Sequence, residues 1–348
     1  MVSVIVPARN EEASLGACLE SLISQTEVSL EIVVVDDGST DRTRPIAQSF
    51  SGVQVIEPPP LTSGWTGKNN AVAAAAKQAR GKWLLFTDAD TVHKPGSLTR
   101  AVAEAEQHQA ALLSYSPEQE VHGFCEKAVM PVIFAELAST YRPSEVRDPA
   151  SPAAAANGQY ILVSREAYDA VGGHAAVADS LLEDVALARA VKRSGRKIFF
   201  RYGGDAVRTR MYRNFTQLRE GWTKNLALLF ASPGRLAILR LLEFMLIVGS
   251  AVFAIVEAVR GRSQTGFALS CLFLVLFVFF IARIQKAHFS PQANGVALFG
   301  LPLFAYLLLR SGISHRNGKA MWKGRVYDSA ASAETTHRCP AEHGTARG

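Results

Sequence analysis

Up to Arg201 the chain alternates between two hydrophobic periods. Short apolar runs rich in β-branched residues occur at 2–6, 31–35, 53–56, 83–87 and 111–115. Runs of this length and type suit buried strands. Between them, apolar residues recur at helical spacing. Leu15, Leu19, Leu22 and Ile23 form one such face, with Asn10 as a candidate cap. Further helices are predicted over 40–50, over the Ala-rich stretch 69–80 and over 95–108. The pattern continues with a helix at 122–141, a Pro- and Ala-rich loop at 143–156, a strand at 158–163 and a helix ending at Gly172-Gly173. An amphipathic helix at 182–194 and a strand at 197–201 follow. Strands alternating with helices predict an α/β domain with a doubly wound, mostly parallel sheet. In such a sheet, ligand-binding residues follow the carboxyl ends of strands.

The pattern changes near Leu236. Three apolar segments, 236–259, 267–284 and 296–313, approach the roughly 20 residues that span a bilayer as a helix. The expected organisation is a catalytic-type domain over 1–225, a membrane domain over 226–315, and a basic, then disordered, tail over 316–348. Met1-Val2-Ser3 runs straight into the first strand with no signal peptide, which predicts a first domain retained in the cytosol at the cytoplasmic membrane. Three crossings would then carry Arg316, Lys319, Lys323 and Arg325 to the opposite side, against the positive-inside rule. A re-entrant or interfacial third segment is the other solution.

Composition sharpens this division. Hydrophobic residues make up 48% of the chain, and their excess lies in the C-terminal part. The net charge is +6, with basic residues gathered around the apolar segments and after Arg201. This favours a membrane surface and a diphosphate ligand over nucleic acid, for which no recognition motif is present. The four cysteines form no C-x-x-C pair and read as free thiols. The histidines have no metal-site spacing, and His93 and His174 read as surface or loop residues. Gly64-Trp65-Thr66-Gly67-Lys68 lacks the glycine spacing and Ser/Thr of a phosphate-binding P-loop.

Candidate chemistry lies in acidic clusters. Asp36-Asp37-Gly38-Ser39-Thr40-Asp41 follows one predicted strand, and Asp88-Ala89-Asp90 follows another. Carboxylates there can accept hydrogen bonds from a nucleoside, or hold a hard divalent cation beside phosphates. Glu183-Asp184 opens the amphipathic helix, where a carboxylate either complements the helix dipole or acts as a general base.

Pro7-Ala8-Arg9-Asn10-Glu11-Glu12, the 36–41 motif, Asp88-Ala89-Asp90, the segment from Asn157-Gly158 to Gly172-Gly173, and Glu183-Asp184 resemble, in this order, family 2 glycosyltransferases of GT-A fold. The resemblance covers about 1–225. With the apolar C-terminal third, it points to the branch that glycosylates lipids such as hopanoids, carotenoids and ceramides. It implies a nucleotide pocket at Pro7, Ala8 and Glu11, with Arg9 or Asn10 nearby. Asp37 would bind the base, with uracil expected, and Asp36 would support the ribose side. Lys68 would lie near base and phosphates. Asp88 would touch ribose or metal, Asp90 would be the chief ligand of Mg2+ or Mn2+, and Gly158 and Gln159 would sit by the donor sugar. Gly173, His174 and Glu183 would shape the acceptor side, and Asp184 would be the catalytic base. Processive members carry Q-x-x-R-W; here Gln217-Leu218-Arg219-Glu220-Gly221-Trp222 is looser, leaving Arg219, Trp222 or Lys224 to cover the diphosphate or acceptor mouth.

The expected activity is inverting transfer from a nucleotide-sugar to a hydroxyl of a lipid or isoprenoid-type acceptor at the membrane. The alternatives are transfer to a polyprenyl phosphate, or a non-catalytic membrane protein that binds nucleotide-sugars.

Overall fold

The structure is a computed structural model describing residues 1–317, 320–322 and 325–327. Most of the predicted disordered tail lies outside the described residues. The first half runs β1 (Val2–Ala8), α1 (Leu15–Ile23), β2 (Leu30–Asp36), α2 (Thr43–Gln48), β3 (Val53–Ile56), α3 (Gly67–Gln78), β4 (Trp83–Phe86), β5 (Thr91–His93), α4 (Ser97–Gln107), β6 (Leu112–Ser116) and β7 (Glu118–Gln119). It continues through α5 (Phe124–Thr140), α6 (Pro143–Arg147), β8 (Ile161–Ser164), α7 (Arg165–Ala170), α8 (Glu183–Arg193), β9 (Ile198–Tyr202) and β10 (Val207–Thr209). The helical remainder comprises α9 (Phe215–Leu229), α10 (Pro233–Val259), α11 (Ser263–Ile284), α12 (Pro291–Val296) and α13 (Gly300–Arg316).

Seven strands form one sheet in the order β3-β2-β1-β4-β8-β6-β9. All pairings are parallel except those of β8, which runs antiparallel to β4 and β6. Ala8 pairs with Asp36, so the loops leaving β1 and β2 emerge side by side. Strand side chains alternate between faces. Val4 and Val6 pack with Leu15, Leu19, Ala47 and Leu98, from α1, α2 and α4. Ile5, Val33 and Val35 pack with Ala71, Ala75, Leu187 and Val191, from α3 and α8. Ile5 is fully buried, and Ile5→Ala would cost roughly 2–5 kcal/mol. A small sheet, β5-β10-β7, was not expected, its strands being only two or three residues long.

A third apolar core joins α5, α9, α10, α11 and α13, through Val129, Ile133, Leu218, Leu226, Ile247, Phe280 and Phe304. Three segments, Pro233–Val259, Ser263–Ala287 and Pro291–Arg316, are long and apolar enough to cross a membrane. Each is longer than the sequence pattern suggested.

Several local expectations are corrected. Asn10 does not cap α1. It adopts a left-handed conformation (φ 54°) and accepts hydrogen bonds from Thr40, while Ser14 occupies the cap position. α2 starts three residues later than expected, because Asp41 holds Thr43 through both its N–H and its hydroxyl. The expected loop at 143–156 contains α6. His93 and His174 are buried, not at the surface.

Candidate active site

The loops after β1 and β2 are tied together by hydrogen bonds. Asn10 N–H donates to Ser39 Oγ (3.1 Å), Glu11 N–H to Thr43 Oγ1 (2.7 Å) and Glu12 N–H to Asp41 Oδ2 (3.1 Å). Arg9 Nη1 donates to the Asp37 carbonyl at 2.7 Å. Gly38, at φ +70°, makes the turn beneath that guanidinium, a conformation that glycine adopts without a Cβ penalty.

The Asp88-Ala89-Asp90 turn is closed by Thr91, whose Oγ1 donates to the Asp88 carbonyl at 2.7 Å. Thr209 Oγ1, from β10, donates to the Asp90 carbonyl at 3.2 Å. Thr87 Oγ1 donates to the Gln159 carbonyl at 2.8 Å, drawing the β8 approach against the end of β4. Buried Cys18 lies against the Asp88 carbonyl, and burial pushes its thiol up to about 12. His93, in the same cluster, is held neutral by burial, its pKa down to about 3.

Glu183 and Asp184 occupy the first turn of α8. Asp184 Oδ2 accepts the Gly158 N–H at 2.9 Å and Oδ1 accepts the Val185 N–H at 2.8 Å. Lys68 Nζ sits between clusters, 2.7 Å from Asp88 Oδ1 and 2.8 Å from Glu183 Oε1. Burial opposes its charge, but the two carboxylates outweigh burial and hold the ammonium well above its usual pKa. Glu183 is buried too, yet Lys68 and Lys224 pull its carboxyl below the ordinary value. Asp184 goes the other way: burial and then the Glu183 charge raise it to about 6, against Lys68. Two adjacent carboxylates are thus driven apart in acidity, a pattern that separates a fixed anion from a proton acceptor. Lys224 is lowered by burial.

Asn69 was missed by sequence reasoning. It is fully buried, and its Nδ2 donates to the carbonyls of Val177 (2.8 Å), Ala178 (3.0 Å) and Ser180 (3.0 Å). It ties the start of α3, and with it Lys68, to the loop preceding Glu183. Nothing in an Ala-rich helix marks this asparagine as a tether.

The clusters share one cavity of ≈ 720 Å³. Pro7, Ala8, Glu11, Asp37, Lys68, Asp88, Asp90, Gly158, Gln159, Glu183, Asp184 and Trp222 all line it. A Cβ at Gly158 would sit 3.1 Å from Lys68 Nζ, 3.4 Å from Glu183 Oε1 and 3.5 Å from Asp184 Oδ2. The same cavity is also lined by Phe134 and Leu137 of α5, by Tyr141 just after it, by Lys224 and Asn225 of α9, and by Lys286 to His288 after α11. His288 stacks on Tyr202 at the end of β9, with centroids 4.1 Å apart. The α5 wall was not foreseen, because its cavity-facing residues follow the same period as its core face.

Four candidates lie outside the lining. Asp36 is buried, and its Oδ1 accepts the Ser39 N–H at 3.0 Å, closing the turn. Gly173 packs against the Tyr168 ring. His174 is buried, with Nδ1 2.9 Å from Tyr168 Oη and its ring edge-on to Phe86, and burial lowers its pKa to about 4. Arg219 is on α9 but does not line the cavity. Trp222 reaches the cavity wall but is 3% exposed, and Nε1 points to Met130 Sδ at 3.3 Å.

The donor chemistry of Asp88 and Asp90 fits Mg2+ or Mn2+: hard oxygens, one residue apart on a pinned turn, beside room for a diphosphate. Among the described residues no group of three or more His, Cys, Asp or Glu forms a ready metal cage.

A mostly parallel sheet, with a D-x-D turn and a carboxylate base candidate meeting at its carboxyl edge, defines a GT-A glycosyltransferase. Residues 3–172 match the Glycosyl transferase family 2 domain. The 4,4'-diaponeurosporenoate glycosyltransferase of Staphylococcus aureus (strain USA300) is 28% identical, over 94% of this chain and 88% of the relative. The enzyme of strain MRSA252 gives the same figures. Among solved structures, the mannosyltransferase PcManGT from Pyrobaculum calidifontis, in complex with GDP-Man and Mn2+, superposes with a TM-score of 0.54 at 18% identity, covering 90% of this chain and 86% of that one. That likeness shows the shared fold.

Proposed function

We propose that this glycosyltransferase moves a sugar, with inversion, from a nucleotide-diphosphate sugar to a hydroxyl of a lipid-like acceptor at the cytosolic membrane face. One observation carries the reading: the acidic clusters and apolar side chains of α5 and α9 line a single cavity. Pro7, Ala8, Glu11 and Asp37 hold the nucleoside, expected to be uridine, and Gly158 and Gln159 flank the donor sugar. Asp184 accepts the proton of the acceptor hydroxyl. The acceptor oxygen bonds to the anomeric carbon as the bond from that carbon to the diphosphate oxygen breaks, and the electron pair leaves with the diphosphate. Both Asp184 oxygens already accept one backbone N–H, and each keeps a lone pair for the incoming proton. Asp88 and Asp90 would hold the divalent cation, which supplies Lewis-acid stabilisation of the leaving diphosphate. Lys68 adds positive charge beside it. The carotenoid-type relative and the apolar helices support a lipid acceptor; the GDP-Man and Mn2+ of the structural relative support a nucleotide-sugar and a divalent cation.

The test is incubation of membranes containing the protein with radiolabelled nucleotide-sugars, followed by lipid extraction. Label in the organic phase, lost in Asp184→Asn, supports the reading. Nucleotide binding without sugar transfer, lipid extract supplied, defeats it. Lys286 and His288 on the acceptor-side wall favour one second reading, an acceptor that is already anionic, such as a polyprenyl phosphate. Such an acceptor needs no base, and its transfer rate would be indifferent to Asp184→Asn.

A further inference from the structure

The three apolar segments are not equivalent. In the most apolar stretch of each, 17% and 11% of the residues of the first two are buried within the protein, against 44% for the third. α10 and α11 form an antiparallel pair in which Gly266 approaches the backbone of Ala254 and Ala258. Their outward residues, including Met245, Phe253, Ile255, Phe267, Leu274 and Phe279, are exposed and apolar.

Charges bracket this pair. At one end Glu136 of α5, Arg240 and Glu243 of α10 and Arg283 of α11 form a neutral quartet. Arg240 Nε lies 3.1 Å from Glu136 Oε1, and Arg283 Nη2 lies 2.8 Å from Glu243 Oε2. At the other end Arg260 and Arg262 both reach Glu257, at 3.2 and 3.3 Å. Between these layers α11 carries no charged residue from Ser263 to Ala282, and α10 none from Phe244 to Val256. An uncharged helix of about 20 residues matches the hydrocarbon core, and charges held at its ends are paired.

α13 is held differently. At its start, Gly300 lies so close to α5 that any Cβ there would overlap the Ala128 carbonyl. At its end, Ser311 Oγ donates to the Thr223 carbonyl (2.6 Å) and accepts the Ala227 N–H (2.9 Å), and His315 Nε2 lies 2.7 Å from the Lys224 carbonyl. Both ends are therefore docked on α5 and α9, the two helices that wall the active site. A crossing helix would leave one end about 30 Å away. One face of α13, made by Leu301, Phe304, Leu308 and Ser311, is buried, and Tyr306, Leu309 and Ile313 are exposed on the other. Burial on one side and an apolar outer stripe fit a helix lying in the membrane interface.

We propose that only α10 and α11 cross the bilayer, as a hairpin, and that α12–α13 form an interfacial segment that keeps Arg316 on the same side as the catalytic domain. The bilayer is the partner of the hairpin and of the outer stripe of α13. The arrangement also removes the conflict between three crossings and the positive charge that follows α13.

The test is cysteine accessibility in the full chain. Cys125, Cys271 and Cys339 are replaced by alanine, and buried Cys18 is kept. Ser51→Cys, Gly261→Cys or Asn317→Cys is then added singly and labelled with a membrane-impermeant maleimide in sealed vesicles of each orientation. The expected result is Cys at 51 and 317 labelled from one side and Cys at 261 from the other. Cys at 317 labelled together with Cys at 261 would establish a third crossing and overturn the proposal. Labelling of all three from one side would overturn it equally, by removing the hairpin from the far side. Lipid glycosylation plays no part in the readout, so the result stands whatever the acceptor is.

Discussion

Lys68 Nζ lies 2.8 Å from Glu183 Oε1, although the two residues belong to α3 and α8 on separate stretches of chain. The ion pair gives Glu183 a cationic partner and leaves its neighbour Asp184 as the carboxylate whose ionisation is disfavoured.

Asp184→Asn keeps the size of the side chain and removes its basicity. Turnover should fall by about 10²–10⁴-fold, the usual worth of a positioned general base. Nucleotide affinity, measured by titration calorimetry on detergent-solubilised protein, should stay near the wild-type value. Near-normal turnover would remove Asp184 from the base role.

The acid side of the pH profile should report Asp184. The base must be deprotonated, so activity rises with pH through about 6 and then levels. Glu183→Gln removes a charge that raises the Asp184 pKa, so the rise should move to lower pH. Lys68→Met removes a charge that lowers it, so the rise should move to higher pH. Initial rates of both variants across pH 4 to 8 decide the signs; shifts in the same direction would contradict the electrostatics.

Chelation by EDTA should abolish transfer, and Mg2+ or Mn2+ should restore it. Asp90→Asn should raise the cation concentration needed for half-maximal rate by at least about tenfold, the lower end for loss of a metal-orienting group. Full activity in EDTA would separate Asp88 and Asp90 from metal binding.

Asn69→Leu should destabilise the domain by about 1–3 kcal/mol, since buried carbonyls lose their donor. Urea unfolding followed by fluorescence measures this. The loop carrying Glu183 and Asp184 should loosen as well, so turnover should fall more than nucleotide affinity does.

Much of the site was legible because its acids sit at strand ends, where a short apolar run followed by Asp is easily seen. Asp37, Asp88 and Asp90 were found in this way, Asp184 was found at the start of an amphipathic helix, and all four share the cavity. Asp36 was not separable from Asp37 by pattern, yet consecutive residues at a strand end point to opposite sides. Asp36 turns inward to Ser39 and leaves the cavity to its neighbour. The histidine of Gly172-Gly173-His174 was read as part of the acceptor side. Its burial against Phe86 and Tyr168 depends on contacts across the sheet that local sequence does not encode. The apolar wall of α5 stayed hidden for a similar reason: Phe134 and Leu137 resemble core residues, and only the fold shows which side of the helix is empty. The Asn10 cap failed because Thr40, distant in sequence, competes for the same side chain.

The reversed direction of β8 shapes how this enzyme can diversify. A parallel strand delivers only its outgoing loop to the active edge. A strand pointing the other way delivers its incoming one, which is how Gly158 and Gln159 arrive beside Asp184. The chain ahead of that strand, with α5 and α6, is thereby suspended over the cavity while contributing nothing to the central sheet's ladder. Substitutions on the cavity side of that insertion would alter which acceptor is admitted, with the nucleotide end of the cleft left as it is and the rest of α5 still packed on the helical part.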